Sequence, residues 1–331
     1  MNTRTRFVKT FKFESVDRLP ITEWAFWWNE TIDRWRKEGL PLGLEDPSDI
    51  RDYFGLDAHR HFWFRSVKPN SLELPADGTG IVKDMDSYLK IKPFLFPDHP
   101  YSEEMMRNWA NLHARGETAV WITFEGFFWV PRTLLGIEGH LYAFVDAPEV
   151  IHAINQDLAD YHIRMLEQLG KLYLKPDFMS FAEDLSYNNG VMISKKHFDT
   201  FMAPYYKQVV PKLAEHNVIP FIDSDGQIEE LIPWMMEVGI EGILPLERQA
   251  GVDIVELRRK FPKLKMIGGY DKMVMSRTEV DMRAEFDRIL PVMKQGGYLP
   301  SVDHQTPPGV SLHNYSIYVK LLNEYCRKAV Q

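Results

Sequence analysis

Carboxylates crowd one kind of position in this sequence. Short apolar runs end in, or are followed at once by, Glu23, Glu125, Glu183 with Asp184, Asp223 with Asp225, Glu247, Asp271, and Asp303 with His304. Such a set of acids repels itself unless a cation or a basic ligand neutralises it. A helix N-cap is the competing explanation for any one of them, because loop Asp and Glu often serve the helix that follows. It explains a single residue as well as a site does, and the whole set much less well.

Side-chain alternation along a strand narrows the choice. Ile219, Phe221, Asp223 and Asp225 share one face, as do Ile243, Pro245 and Glu247, and His304 follows Val302 at the same parity. Asp225, Glu247 and His304 are expected to converge, with Asp223 beside them. Carboxylates plus one imidazole suit a divalent cation, and Zn²⁺ is a reasonable occupant. The spacing matches no local metal motif, so a metal-free polar pocket, with His304 bonded to Asp303 or to a ligand, is the alternative. Glu183, Asp184 and Tyr187 are candidates for proton transfer. Aromatics are 13% of the chain and cluster at Trp24–Trp28 and Phe124–Trp129. Most such rings are core; Trp24, Trp27, Trp28 and Phe128 are the candidates for stacking on a substrate.

The elements that must position these groups alternate regularly. Apolar runs at Asp177–Glu183, Val218–Asp223, Gly242–Leu246, Leu264–Gly268 and Tyr298–Val302 read as strands, each followed by a helical stretch. Asp146-Ala-Pro-Glu149 reads as a capping box opening a helix to about residue 168. Ser194 opens another helix, which Pro204 kinks. Leu19–Trp24, His61–Ser66 and Ala119–Phe124 extend the pattern upstream to eight strands, the number of a (β/α)8 TIM barrel with active residues at the strand C-termini. A doubly wound open sheet is the runner-up, but no Gly-x-Gly-x-x-Gly turn follows any strand. The expected architecture is a single α/β barrel domain over residues 1–331, with an N-terminal extension and a Pro-rich excursion around residues 67–118.

Composition excludes several classes. The 331 residues carry 39 Lys and Arg against 47 Asp and Glu, a net charge of −8, with no basic block to grip a phosphate backbone. Nucleic acid is therefore not an expected partner. No apolar run approaches the roughly 20 residues of a membrane helix, and the N-terminus lacks the apolar segment of a secretory signal. Cys326 is the only cysteine and forms no intrachain disulfide. A cytoplasmic protein is expected; the sequence leaves homodimer formation open.

The segments FAEDLSYNNG (Phe181–Gly190), FIDSDG (Phe221–Gly226), GILPLE (Gly242–Glu247), IGGYDK (Ile267–Lys272) and VDHQTPPGVSLHNY (Val302–Tyr315) resemble the uroporphyrinogen decarboxylase-like superfamily. DRLP (Asp17–Pro20) and FGLDAHR (Phe54–Arg60) extend the likeness over nearly the whole chain. That superfamily consists of (β/α)8 barrels and includes porphyrinogen decarboxylases and corrinoid- and zinc-dependent methyltransferases. The decarboxylases carry an Arg-bearing Gln-Ala-Gly-Arg segment after the first strand, where this chain has TEWAFWWNE (Thr22–Glu30), acidic and aromatic. The zinc methyltransferases carry a His-x-Cys pair and a later Cys, matched here by Asp223-Ser-Asp225 and His304. The resemblance thus implies an oxygen-rich metal site suited to methyl ethers.

The function this implies is an O-demethylase methyltransferase. It would move a methyl group from a methoxylated, aromatic donor to the cobalt of a corrinoid protein, a separate partner, with Zn²⁺ or another divalent metal assisting. The alternative is a metal-free carboxy-lyase acting on a porphyrinogen or smaller acid, with Asp57 and His304, which resemble family decarboxylase residues, handling protons. A non-catalytic barrel binding a small aromatic ligand is the third reading.

Overall fold

Seven short strands line up in sequence order, all parallel, with helical crossovers between them. In the computed structural model, which describes residues 1–44, 46–75 and 78–331, they are β1 (His59–Phe64), β2 (Ala119–Glu125), β3 (Phe178–Ala182), β4 (Ile219–Asp223), β5 (Gly242–Leu244), β6 (Lys265–Tyr270) and β7 (Tyr298–Val302). Parallel strands need their crossovers packed on the outer face, and the near-continuous burial of β2 to β7 fits that demand, whereas β1 is fully buried only at its two ends.

The expected first strand, Leu19–Trp24, forms no backbone ladder. It lies between the two open edges of the sheet and is bound to both by scattered contacts. On the β1 side, the Asp57 amide donates to the Ile21 carbonyl (2.6 Å) and the Thr22 hydroxyl meets His59 Nδ1 (3.1 Å). On the β7 side, the Trp24 amide donates to Ser301 Oγ (3.1 Å), the Trp24 indole to the Val302 carbonyl (2.7 Å), and the Val302 amide to Glu23 Oε1 (3.1 Å). Pro20 has no amide hydrogen to give a ladder. The eighth stave is therefore held mainly by side chains.

Alternation sends Ala119, Trp121, Phe178, Ile219, Phe221, Leu244, Ile267 and Leu299 into the barrel interior. Phe7 and Phe11 join them from the helix Thr3–Phe11, one turn apart on its buried face. The Phe11 ring meets Phe178 and Phe221 edge-on, each at 5.1 Å. This N-terminal extension is the plug of the barrel floor. Leu244 points inward, so the expected inward row of Ile243, Pro245 and Glu247 is offset by one: β5 stops at Leu244, and Ile243 faces the outer helices. Val302 likewise packs outward, so His304 reaches the mouth from beyond the strand and not by continued alternation.

Asp146 closes the helix Ile137–Asp146 and makes no cap for the next one, which begins at Pro148 behind Ala147. Ser194 does cap its helix, and the chain breaks at Met202 just before Pro204. Within residues 67–118 the excursion carries the helices Met85–Ile91 and Glu103–Ala114. No helix among the described residues is long and apolar enough to cross a membrane.

Candidate metal and substrate site

At the C-terminal ends of the strands lies a cavity of about 380 Å³ with two chemically distinct walls. One is aromatic: Trp24, Phe26, His61, Trp63, Trp121 and Trp129. The β1–β2 register sets His61 beside Trp121, and their rings stack at 4.1 Å. The other wall is acidic: Asp184, Asp223 and Asp225, with His304 at its edge.

Asp225, Glu247 and His304 come together from three βα loops. One ligating atom from each lies within 4.8 Å of the other two, and His304 Nε2 stands 3.8 Å from Asp225 Oδ2. Burial and the Lys272 ammonium lower the His304 pKa, leaving a neutral imidazole with a lone pair to give. Burial and the negative charges of Asp184 and Glu247 push Asp225 up to about 7. Asp225 and its following turn are pressed against a short antiparallel hairpin, Ser186–Tyr187 paired with Gly190–Val191. A Cβ on Gly226 (φ +82°) would lie 2.6 Å from Tyr187 backbone atoms, so glycine is required there. Lys272 Nζ lies 3.6 Å from both Glu247 and Asp303 and offsets part of the negative charge.

Asp303 does not bond His304. It is fully buried and accepts from the Arg248 amide (2.9 Å) and the Lys272 amide (3.1 Å), tying two loops to the end of β7. Asp223 lines the cavity but lies outside the three-residue cluster. Burial and the charges of Asp184 and Asp225 raise its carboxyl well above the usual range.

Other expected residues fall elsewhere. Glu183 is fully buried and accepts from the amides of Phe127 (2.7 Å), Phe128 (2.7 Å) and Trp129 (3.1 Å), and from the Tyr206 hydroxyl. It anchors the start of the helix Trp129–Leu135, and a Cβ on Gly126 would lie 2.0 Å from its carboxyl carbon. Its neighbour Asp184, at φ +43°, turns into the cavity, 3.6 Å from Arg132. Tyr187 is half exposed on the hairpin and does not line the cavity.

Asp57 sits before β1, at the opposite end of the barrel, where Arg18 grips it at 2.5 and 2.8 Å and the Ile21 amide donates to it. It is a structural latch. Trp27 is core, packed on Trp35 and Tyr315. Trp28 is exposed ahead of the helix Asn29–Lys37, and Phe128 is buried against His140. Of the four aromatics expected to meet a substrate, Trp24 alone lines the cavity; His61, Trp63 and Trp121 were missed. Their signal was present, since His61 and Trp63, like Trp121 and Thr123, alternate along their strands toward one face.

A parallel barrel with its polar groups gathered at the strand C-termini defines a large class of α/β enzymes by architecture alone. Within it, the chain belongs to the uroporphyrinogen decarboxylase (URO-D) family, whose model matches residues 111–325. A methyltransferase from Methanosarcina mazei has a similar structure at 13% identity, covering 98% of this chain and 99% of that one with a TM-score of 0.62. A B12-independent methionine synthase from Shewanella sp. W3-18-1 gives 14% identity, coverage of 93% and 92%, and a TM-score of 0.47. A putative vitamin-B12-independent methionine synthase from Listeria monocytogenes gives 12%, coverage of 94% and 98%, and 0.46. No curated protein sequence matches significantly.

Proposed function

We propose that this protein transfers the methyl group of a methoxylated aromatic compound to a corrinoid carried on a partner protein, with a divalent cation held by Asp225, Glu247 and His304. The observation that carries this reading is the meeting of an aromatic wall with Asp225 and His304 across one cavity, with Glu247 completing their donor cluster from outside the lining. Two carboxylates and a neutral imidazole fit a cation such as Zn²⁺, and the mutual repulsion of Asp184, Asp225 and Glu247 favours one. When bound, such a cation supplies Lewis acidity to the ether oxygen, which is otherwise a poor leaving group.

The chain's own residues do the remaining work. Trp24 lines the cavity half-buried, and its indole is pinned to the Val302 carbonyl, so it meets an aryl ring preorganised. Burial pushes the Asp184 and Asp223 carboxyls upward, which favours the proton-bearing form that a departing phenoxide needs. Methyl transfer by the Methanosarcina mazei protein supports the reading at the level of fold analogy only.

The carboxy-lyase alternative is disfavoured. Asp57, one of its two expected proton handlers, lies at the far end of the barrel, held by Arg18 and the Ile21 amide.

Turnover of a methylated phenol with a reduced corrinoid protein tests the proposal. Chelation and His304→Ala should each abolish turnover and bound metal while circular dichroism stays unchanged. Full activity in metal-free protein would overturn it.

A further inference from the structure

A second hollow, of about 430 Å³, lies behind the aromatic wall, between the helix Pro47–Tyr53, β1 and the helix Glu103–Ala114. It shares Phe26 and His61 with the reaction cavity, and those two rings stack at 6.0 Å to form the partition. Its lining includes two guanidinium groups, those of Arg51 and Arg60.

Arg51 is 4% exposed, yet among the described residues its Nε and Nη2 atoms have no hydrogen-bond partner and no carboxylate forms an ion pair with it. It rests over the Phe26 and Trp27 rings, at 5.2 and 5.9 Å. Arg60 spends one nitrogen on Ser48 Oγ (2.6 Å) and leaves a buried Nε unpartnered.

A buried cation without an anion is an expensive arrangement. Burial and the neighbouring Arg60 charge lower the Arg51 pKa to about 10, and they outweigh the opposing fields of Glu23 and Asp46. Asp46 lines the same hollow, but its Oδ1 caps the helix through the Ser48 amide (2.7 Å). His59, the remaining titratable group at the floor besides His61, is held neutral by burial and by the same arginines.

We infer that this hollow is a binding site for a small oxyanion, a carboxylate or a phosphate, with Arg51 as its buried anchor and Arg60 as its second donor. Arginine's planar fork presents paired donors to such a group, and aromatic faces behind it suit the acid of an aryl compound. Because the site sits across a two-ring partition from the mouth, its occupant presses on the cavity wall without entering the acidic cluster. The inference is independent of the reaction proposed above.

Thermal unfolding of the full chain, in low-salt buffer with added inorganic phosphate or benzoate, tests it without any activity assay. A ligand that binds only the folded chain raises Tm, and at saturation a rise of about 3 °C or more is expected. A response to benzoate identifies the carboxylate as the preferred group, and a response to phosphate identifies the phosphate. Arg51→Met keeps the volume and should abolish the response while unfolding at or above the wild-type temperature in ligand-free buffer. Arg60→Gln should weaken the response at least tenfold in midpoint concentration. No rise with either probe, or an undiminished rise in Arg51→Met, would overturn the assignment. So would a ligand-free Arg51→Met that melts several degrees low, because Arg51 would then be neutralised within the protein.

Discussion

Replacing Phe11 by alanine should test whether the N-terminal helix is a structural plug remote from the chemistry. Phe11 is 1% exposed and touches the interior rings of β3 and β4. Removing a buried Phe side chain costs about 3–5 kcal/mol, from lost transfer energy, lost edge contacts and the cavity left behind. Unfolding entropy near ~2.1 cal/mol/K per residue, over 331 residues, is roughly 0.7 kcal/mol/K. A loss of about 4 kcal/mol therefore lowers Tm by about 6 °C. Calorimetry should show that fall, with Phe11→Leu recovering at least half of it. Ligand affinity at the mouth should not change, because the plug occupies the opposite end of the barrel. A fall below about 2 °C, or a loss of mouth binding without a loss of stability, would refute the reasoning.

Asp303→Ala should leave two part-buried amides, those of Arg248 and Lys272, without their acceptor and remove a fully buried carboxylate from the end of β7. About 2–5 kcal/mol of stability should be lost in urea titration, whereas Asp225→Ala should lose bound metal with little change in stability. Trp24→Leu should weaken binding of an aryl ligand at least tenfold by calorimetric titration. Trp27→Leu should instead lower stability and leave that affinity alone. Burial raises the Glu23 pKa from 4.5 to about 7 in the fold. Its neutral form is favoured there, so its contribution is whole below pH 4.5 and is lost as pH rises towards 7, by up to about 3 kcal/mol. Urea midpoints measured at pH 5 and pH 8 should show that decline, and Glu23→Gln should reduce it.

The sequence made the strand ends legible because β/α alternation is a strong pattern, and Asp225 follows directly from it. Glu247 and His304 were reached through a mistaken parity: Val302 packs outward, and Glu247 arrives at the mouth after the chain turns at Leu246 (φ +70°), which no alternation rule anticipates. Glu183 was misread because a strand-end carboxylate looks the same in sequence whether it meets a ligand or three amides of an adjoining loop. Trp27 and Trp28 were misread because consecutive aromatics in a non-repeating segment carry no facing rule. Residues on β1 and β2 do carry one, and applying it there would have revealed His61, Trp63 and Trp121. The guanidinium hollow depends on packing between a helix and an outward strand residue, which spacing alone does not encode.

The segment joining β7 to β1 gives the barrel a seam. Elsewhere neighbouring strands share a backbone ladder, but along Leu19–Trp24 closure depends on two hydroxyls, an indole, two carboxyls and one backbone amide–carbonyl pair. Such a joint should unzip at lower free energy than the rest of the wall, so amide hydrogens near Trp24 and Val302 should exchange early. Trp24 also stands edge-on to His304 at 6.4 Å. Breathing at this line would therefore widen the entrance while the opposite side of the barrel stays still.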